Sequence, residues 1–249
     1  ADLGGGRNGI TAFDFNNNGV IDPAEAQTSV IPAGSAPVDY DYDYFSYSIG
    51  ANYLLTSDLS IFARYSKGGR ANADRILFNG NNVSTTTGAL RSDAVAIDFV
   101  KQAEAGLKYR GGGLALYATG FYAETEEENF EATSQTVFSR SYEAYGVELE
   151  GSYRAGNFSL SAGATYTDAQ IEDDNISPAN IGNTPRRQAD FIFQATAAYD
   201  SDIFGLGVNA VGTTDSFAQD NNQLVLPGFT TVNAYFNIRP MDNVTLALN

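Results

Sequence analysis

The sequence has no cysteine, no histidine and no tryptophan, and Met241 is its single methionine. These absences exclude a Ser–His–Asp triad, a Cys–His pair, a disulfide framework and a zinc site built from the usual ligands. Basic residues are also scarce, because 14 Lys and Arg stand against 30 Asp and Glu in 249 residues, and the formal charge is −16. A nucleic-acid partner needs clustered basic residues to neutralise its phosphates, so this charge argues against one.

The length allows one large all-β domain or one to two ordinary domains with a sizeable core. Long hydrophobic runs are missing as well: no stretch approaches 18 consecutive apolar residues, so no transmembrane helix is predicted. The chain does not start with methionine, and its first residues do not form a signal peptide. We therefore expect it to be part of a longer protein.

The dominant pattern that is present is two-residue alternation of apolar and polar side chains. In residues 45–53 the odd positions are apolar or aromatic, and the even positions between them are Ser, Gly or Asn. Such alternation predicts a β-strand with one apolar and one polar face. Further runs of the same kind begin at Leu59, Phe158, Phe191 and Val232.

The connections between these runs are alternately short and long. Short turns rich in Gly, Asn and Asp lie at residues 56–58, 110–113, 155–157, 200–202 and 241–243. Long polar segments lie at residues 68–97, 124–139, 169–188 and 215–228. A bacterial outer-membrane barrel has short periplasmic turns and long extracellular loops, whereas a soluble sandwich has no reason for this asymmetry. The pattern predicts an all-β fold, with about ten strands of an antiparallel transmembrane β-barrel.

Tyrosines recur one to three residues before the short turns. Aromatic rings at one end of successive strands form a girdle at a membrane interface, which would here be the periplasmic one. The alternative is that tyrosine is simply a good strand residue. The tyrosines of this predicted periplasmic girdle are Tyr53, Tyr109, Tyr153 and Tyr199.

Charge distinguishes the two faces of the predicted strands. In residues 99–109, Glu104 lies on the same face as Gln102 and Lys108. In the strand that begins at Tyr145, Glu148 and Glu150 lie on one face and the apolar residues lie on the other. A charged side chain at the centre of the bilayer costs roughly 2–4 kcal/mol when basic and less when acidic, so we expect these acids to face inward. A polar interior implies a wide barrel with a wet or plugged lumen, because a small barrel is filled with apolar side chains.

Four segments of the sequence carry a family resemblance. Two of them have the form of barrel strands: KQAEAGLKY at residues 101–109 and AYGVELEGSY at residues 144–153. TPRRQA at residues 184–189 has the form of a Pro-Arg segment that re-enters a barrel after a long loop, and residues 226–249 look like the lead-in to a closing strand. In order and spacing over residues 44–249, these segments resemble the C-terminal part of the barrel of TonB-dependent outer-membrane receptors.

This resemblance implies a partial barrel. Family members close with about 22 strands, so the chain would supply somewhat under half of them, and we expect the plug domain, the TonB box and the closing strand to lie outside it. The resemblance further implies uptake of a scarce ligand, such as a siderophore, cobalamin or an oligosaccharide, across the outer membrane of a Gram-negative bacterium. The expected partners are outer-membrane lipid, the ligand, and TonB acting through the plug. No enzymatic activity is expected.

Residues 14–25, DFNNNGVIDPAE, fit the twelve-position EF-hand calcium loop at every defining position. The glycine-rich segment before them cannot form a good entering helix, so a full EF-hand is not predicted, and an Asn/Gly-rich surface turn is the alternative. We expect a structural Ca²⁺ ion in an extracellular loop segment over residues 1–38, followed by barrel strands over residues 39–249. The expected ligands are Asp14, Asn16, Asn18, Val20 through its carbonyl, Asp22 and Glu25.

Two further groups of residues are candidates for contact with the ligand. Continued alternation would place Tyr40, Tyr42 and Tyr44 on the lumen side as an aromatic platform for a sugar or siderophore, and an outer aromatic girdle is the alternative. The other group is Arg186 and Arg187, which could contact an anionic ligand or anchor the start of a strand at the membrane interface.

A passive porin-like channel is the main alternative to a TonB-dependent transporter, although no basic cluster suggests the charged eyelet of a porin. A barrel enzyme of about ten strands is disfavoured because the chain has no histidine. A soluble calcium-loaded β-solenoid would need a short repeat and many calcium motifs, and the sequence contains one such motif.

Overall fold

The structure, a computed structural model, describes residues 39–72, 83–84, 86–90, 96–131, 136–241 and 244–248. The chain divides into two compact units, one of Ala1–Asp41 with Gly80–Arg91 and the other of Tyr42–Asn79 with Ser92–Asn249. In the described part of the first unit, Val83 and Leu90 form an antiparallel bridge. The predicted calcium loop lies outside the described residues, and the predicted boundary between residues 38 and 39 stays a prediction.

Nearly all regular structure in the described ranges is β-strand. A three-residue 3₁₀ helix, Pro178–Asn180, is the exception, and those ranges contain no helix with the length and apolar character needed to cross a membrane. The strands are β1 Tyr47–Leu54, β2 Leu59–Ala71, β3 Ile97–Gly111, β4 Leu114–Glu131, β5 Thr136–Ala155, β6 Phe158–Asp174, β7 Phe191–Asp200, β8 Phe204–Thr213, β9 Ser216–Phe217, β10 Val225–Leu226, β11 Phe229–Met241 and β12 Val244–Leu248.

Ten of these strands form a single antiparallel sheet in the order β1-β2-β3-β4-β5-β6-β7-β8-β11-β12. Each strand therefore pairs with the next one along the sheet, as in an up-and-down barrel wall. The two short strands β9 and β10 form a separate hairpin inside the connection between β8 and β11. The predicted all-β fold with about ten antiparallel strands, part of a barrel, is confirmed.

The connection predicted at residues 124–139 is largely strand, so that prediction was wrong. The ladder between β4 and β5 continues without a break from Leu114↔Tyr153 to Glu131↔Thr136. The hydroxyl of Tyr142 on β5 donates a hydrogen bond of 3.0 Å to Glu127 on β4 in this outer part. A strand segment that faces water and polar side chains on both sides needs no apolar positions, so its polar sequence resembles that of a loop.

The sheet has an apolar face and a polar face. On the apolar face the register aligns Leu107 with Ile61 on one side and with Ala118 on the other. Large side chains on this face are solvent-exposed, including Leu107 at 50% and Leu149 at 53%. Soluble monomers rarely expose a continuous apolar surface of this kind, so the face requires an apolar partner phase. The buried apolar residues in the described ranges are few: Val83, Ala96, Ile97, Ala169 and Ile171.

Four glycines of the sheet each lie under an aromatic ring of the directly opposite residue. A β-carbon built on Gly146 would lie 2.6 Å from Cζ of Phe121 and closer still to the carbonyl oxygen of Tyr166. Gly146 belongs to the AYGVELEGSY segment, so its place in that motif has a steric reason. Rings covering cross-strand glycines are a known way to pin register. The pairs are Gly106–Phe62, Gly146–Phe121, Gly207–Tyr235 and Gly212–Phe193.

Candidate functional site

The polar face carries charged side chains that pair across neighbouring strands. Arg64 on β2 donates two hydrogen bonds to the carboxylate of Glu104 on β3, from Nη2 at 2.9 Å and from Nε at 3.0 Å. Gln102 donates to the same carboxylate at 2.7 Å. The ammonium group of Lys108 lies 4.3 Å from the ring centroid of Phe62. The predicted polar side of β3 thus carries an ion pair, an amide hydrogen bond and a cation–π contact.

Farther along the polar face, Glu148 and Glu150 of β5 have no ion pair among the described residues. Glu150 lines a shallow cavity of about 300 Å³ together with Tyr117 and Gln194. Gly163 lies between Glu150 and Gln194 in the sheet, because it pairs with Glu150 of β5 on one side and with Gln194 of β7 on the other. The carboxylate of Glu150, the amide of Gln194 and the hydroxyl of Tyr117 are polar groups that can form hydrogen bonds with a polar partner in this cavity.

Arg140 connects three segments at the end of the sheet that carries the long connections. Its Nη2 donates to Oδ2 of Asp174 at 2.5 Å, and its Nη1 donates to Oδ2 of Asp220 at 2.8 Å. Asp174 ends β6, and Asp220 lies in the connection between β8 and β11. The side chain of Arg140 is 12% exposed, that of Asp220 is 11% exposed and that of Asp174 is fully buried. We call these three residues the Arg140 cluster.

Within the Arg140 cluster, the pairing of Arg140 with Asp174 favours the ionised form of both side chains. Burial would raise the pKa of Asp174, but hydrogen bonds from the amides of Ser177 and Ile176 and from Arg140 outweigh burial and lower it. Burial would lower the pKa of Arg140, and its anionic partner Asp174 helps to raise it instead. A lowered carboxylate pKa means that this contribution to stability is present at neutral pH and is lost as the pH falls through the pKa of folded Asp174.

The two predicted arginines lie next to the Arg140 cluster, in a tight turn that precedes β7. The amide of Gln188 donates to the carbonyl of Pro185 at 3.2 Å, so Arg186 and Arg187 are the two central residues of this turn. The amide of Arg186 donates to Oδ1 of Asp220 at 2.9 Å. Its guanidinium is 63% exposed and approaches Asp220 to 4.0 Å. Arg187 is exposed and has a left-handed backbone, with φ of 64°.

A second set of hydrogen bonds attaches this turn to the connection between β8 and β11. The amide of Arg187 donates to the carbonyl of Phe217 in β9 at 2.6 Å. Thr184 and Asn222 exchange two bonds: the Thr184 amide donates to Oδ1 of Asn222 at 2.9 Å, and Nδ2 of Asn222 donates to the Thr184 carbonyl at 2.8 Å. These hydrogen bonds fix the turn at residues 185–188, which lies in the connection between β6 and β7, to the connection between β8 and β11.

The segment with the other predicted ligand contacts does not continue the strand. Residues 39–46 have no strand pairing, and β1 begins at Tyr47. The hydroxyl of Tyr44 donates to the carbonyl of Gly69 at 3.3 Å, and a β-carbon on Gly69 would lie 3.1 Å from Cε2 of that ring. The ligand contact of Tyr40, Tyr42 and Tyr44 stays a prediction.

The four tyrosines of the predicted periplasmic girdle share the apolar face, each beside a short turn. The register places Tyr53 opposite Ile61, and the other three oppose residues that are equally apolar. The ring of Tyr199 also stacks on Phe204, with centroids 5.5 Å apart. Their depth in a membrane stays a prediction. The remaining pairs are Tyr109–Leu59, Tyr153–Leu114 and Tyr199–Phe158.

A second aromatic row on the apolar face was missed by the sequence analysis. Tyr122 pairs directly with Tyr145, and Tyr145 precedes Tyr153 of the first row by eight residues. Eight residues span about 26 Å along a strand, and a strand tilt of about 40° reduces this to a height of about 20 Å, somewhat below the roughly 25 Å apolar band between the girdles of a transmembrane barrel. The eight-residue spacing of Tyr145 and Tyr153 was the signal in the sequence that could have revealed this row. Its other members are Tyr65 and Tyr166.

Charged residues on this face begin one side-chain step beyond the second row. Nζ of Lys101 lies 2.9 Å from Glu124 and 3.9 Å from Glu126. The hydrogen bond from Lys101 lowers the pKa of Glu124, and the same bond raises the pKa of Lys101. The hydroxyl of Tyr122 lies within 3.0 Å of carboxylate oxygens of both Glu124 and Glu143. The apolar band thus ends sharply against a charged layer.

In the described part of the chain, no group of three or more Asp and Glu is arranged to hold a metal ion. The predicted Ca²⁺ ligands at residues 14–25 are outside that part, and they stay a prediction.

Comparison with known proteins places this sheet in a family. The family model described as "TonB dependent receptor-like, beta-barrel" matches residues 3–249. Nothing among the curated proteins matches. Similar solved structures include the ferric yersiniabactin uptake receptor FyuA from Yersinia pestis, at 17% identity and a TM-score of 0.63. They also include the ferric citrate transporter FecA, at 16% and 0.64, and the ferric-catecholate import receptor Fiu from K12 E. coli, at 16% and 0.63.

These likenesses show the fold, and they cover different shares of the two chains. The alignment covers 80% of this chain and 30% of FyuA, 81% and 32% for FecA, and 81% and 29% for Fiu. The chain therefore spans about a third of the length of these structures.

Proposed function

The chain belongs to the TonB-dependent receptor β-barrel family, and from this premise we propose that it is the barrel part of a receptor that imports a ferric chelate with energy from TonB. Members of the family are outer-membrane receptors of Gram-negative bacteria and not enzymes, which confirms the predicted location and the prediction that the chain is not an enzyme. The match over residues 3–249 is the observation that carries the proposal.

The two faces of the sheet support this assignment physically. The exposed apolar face is bounded by two aromatic rows about 26 Å apart along the strands, which for tilted strands gives a height of about 20 Å, near that of a lipid-facing band. We propose that Tyr53, Tyr109, Tyr153 and Tyr199 mark its periplasmic boundary. The opposite face, with the Arg64–Glu104 pair, then lines the lumen, where charge meets water or a plug rather than lipid.

The ligand class is inferred from similarity. FyuA, FecA and Fiu are named for ferric yersiniabactin, ferric citrate and ferric catecholate. We propose a ferric chelate for this chain, ahead of the cobalamin and oligosaccharide that the family resemblance also allows. TonB would act through a plug domain outside the described residues.

A transport experiment separates this proposal from a passive porin-like channel. In cells that produce the intact receptor, uptake of radio-iron as the citrate or a tricatecholate complex should fall to the level of receptor-free cells when TonB is deleted. A passive channel would continue to admit the complex, because diffusion needs no energy from TonB. Uptake that persists in the TonB deletion would therefore overturn the proposal in favour of the channel.

We also propose that residues 14–25 bind a structural Ca²⁺ ion in an extracellular segment over residues 1–38. Glu25 is the expected bidentate ligand, so Glu25→Ala should abolish the one-to-one binding heat in a calorimetric titration of the intact protein with CaCl₂. Asn8→Ala lies in the same segment outside the twelve positions and should bind as the wild type does. Equal binding by Glu25→Ala and the wild type would show that the segment is a surface turn.

A further inference from the structure

Arg187 differs from most other basic residues in the described ranges, because its side chain has no carboxylate, hydroxyl or aromatic partner there. Arg64, Arg140 and Arg239 pair with carboxylates, and Lys67 lies 4.2 Å from the ring centroid of Phe99. Arg154 also lacks such a partner, but it lies beside the short turn at residues 156–157, at the opposite end of the sheet. Arg187 is therefore an available cation at the end of the long connections.

The backbone at Arg187 is unfavourable for an arginine. Its φ of 64° lies in the left-handed region, which glycine and asparagine occupy readily and which is costly for a long side chain. The other non-glycine residue with positive φ in the described ranges is Asn222, whose residue type suits it. An outlier of this kind points to a role for the side chain that is present, since a better residue for the turn exists.

The position of the Arg187 backbone is fixed independently of its side chain. The turn is tied to β9 through the amide of Arg187, to Asp220 through the amide of Arg186, and to Asn222 through Thr184. Asp220 is itself held by Arg140, whose side chain is largely buried. Because the backbone of this turn is already held, only the side chain of Arg187 has to be ordered when it binds a partner, which favours binding over that by a flexible loop.

We propose that the guanidinium of Arg187, with Arg186 beside it, contacts an anionic oxygen of the imported chelate, such as a free carboxylate or a catecholate oxygen. The planar fork of arginine matches two oxygens of one carboxylate, and such charge-assisted bonds are stronger and more directional than neutral ones. In a chain of formal charge −16, an exposed pair of adjacent cations is the natural point of attraction for a negatively charged ligand. This inference rests on the proposed function.

The test replaces Arg187 with asparagine in the intact receptor. Asparagine accepts the left-handed backbone, so the melting temperature should be equal to or above that of the wild type, and a loss of binding cannot be attributed to unfolding. Affinity is measured by quenching of tyrosine fluorescence with ferric citrate, an anionic ferric tricatecholate and the uncharged complex ferrichrome. Arg187→Asn should weaken binding of the anionic chelate about tenfold or more, the effect of one charge-assisted contact.

Two control variants sharpen the result. Arg187→Lys keeps the charge but not the planar fork, so it should bind with intermediate affinity. Arg154→Asn removes the other unpartnered arginine at the opposite end of the sheet and should leave chelate affinity unchanged. A graded loss from wild type through lysine to asparagine supports a direct contact with the anion.

The remaining outcomes overturn the inference in distinguishable ways. Equal affinity of Arg187→Asn and wild type, with TonB-dependent uptake intact, rejects the contact and leaves the proposed function standing. Unchanged chelate affinity with loss of co-purified lipopolysaccharide assigns Arg187 to lipid phosphate instead. Binding of ferrichrome alone rejects an anionic ligand. If the wild type neither binds nor imports any of the three chelates, the proposed function fails and the inference fails with it.

Discussion

Replacing Gly146 with alanine is expected to destabilise the sheet by about 2–3 kcal/mol, the upper part of the range for overpacked sites. The added methyl group would lie 2.6 Å from Cζ of Phe121 and even closer to the carbonyl oxygen of Tyr166. The oxygen belongs to the backbone of a hydrogen-bonded strand, so it cannot move without disturbing the ladder between β5 and β6. The ring alone could rotate away, but the strand cannot.

Gly163→Ala is the matched control for this change. Gly163 lies on the same polar face in the next strand, and its nearest neighbours would be 3.8 Å from a new β-carbon. Alanine there should be neutral or slightly stabilising, because glycine costs about 0.5–1 kcal/mol relative to alanine within a strand. Urea unfolding of the intact receptor in lipid vesicles measures both variants. Equal midpoints for Gly146→Ala and Gly163→Ala would contradict the steric explanation.

Arg140→Ala is expected to release the long connections from one another and to cost about 3–5 kcal/mol locally, as removal of one partner of a buried ion pair does. The change leaves Asp174 buried and Asp220 nearly so, without their shared cation. The amides of Ile176 and Ser177 still donate to Asp174, which makes the lower part of this range the better estimate. We expect the sheet itself to remain folded, because the cluster lies at its end.

Hydrogen exchange detects this loosening residue by residue. The amides of Arg186 and Arg187 should exchange faster in Arg140→Ala, since their acceptors lie in the connection that Arg140 holds. Arg186→Ala is the matched control, because its exposed guanidinium lies 4.0 Å from the same Asp220 and surface pairs contribute about 0–1 kcal/mol. Unchanged protection of both amides in Arg140→Ala would show that the cluster does not couple the connections.

The membrane-spanning part of the fold was predictable from sequence because lipid and water act on alternate residues. That constraint gives the membrane-spanning strands an alternation of apolar and polar residues, and this alternation predicts the ten-stranded sheet that the structure has. The constraint disappears beyond the membrane, where the outer parts of β4 and β5 face water and polar side chains rather than lipid. Their polar sequence gives no periodic signal and predicts a loop where the structure has a strand hairpin.

The details of the site were not predictable, because they depend on contacts between distant residues. Arg140 reaches Asp174 and Asp220, which are 34 and 80 residues away in sequence. The ring of Phe121 covers Gly146 only because of the register between β4 and β5. Arg187 was recognised by its charge, but its left-handed backbone depends on how the turn is held by β9.

The sharp boundary above the second aromatic row also sets how the barrel sits in the bilayer. Tyr122 is followed on the same face by Glu124, and Tyr145 is preceded by Glu143, a step of about 7 Å along each strand. Sinking by that distance would carry these carboxylates, and Lys101 beside them, into hydrocarbon in neighbouring strands at once. In the proposed barrel, the energy therefore rises steeply with vertical displacement, and the charged layer limits how deep the wall can sit in the bilayer.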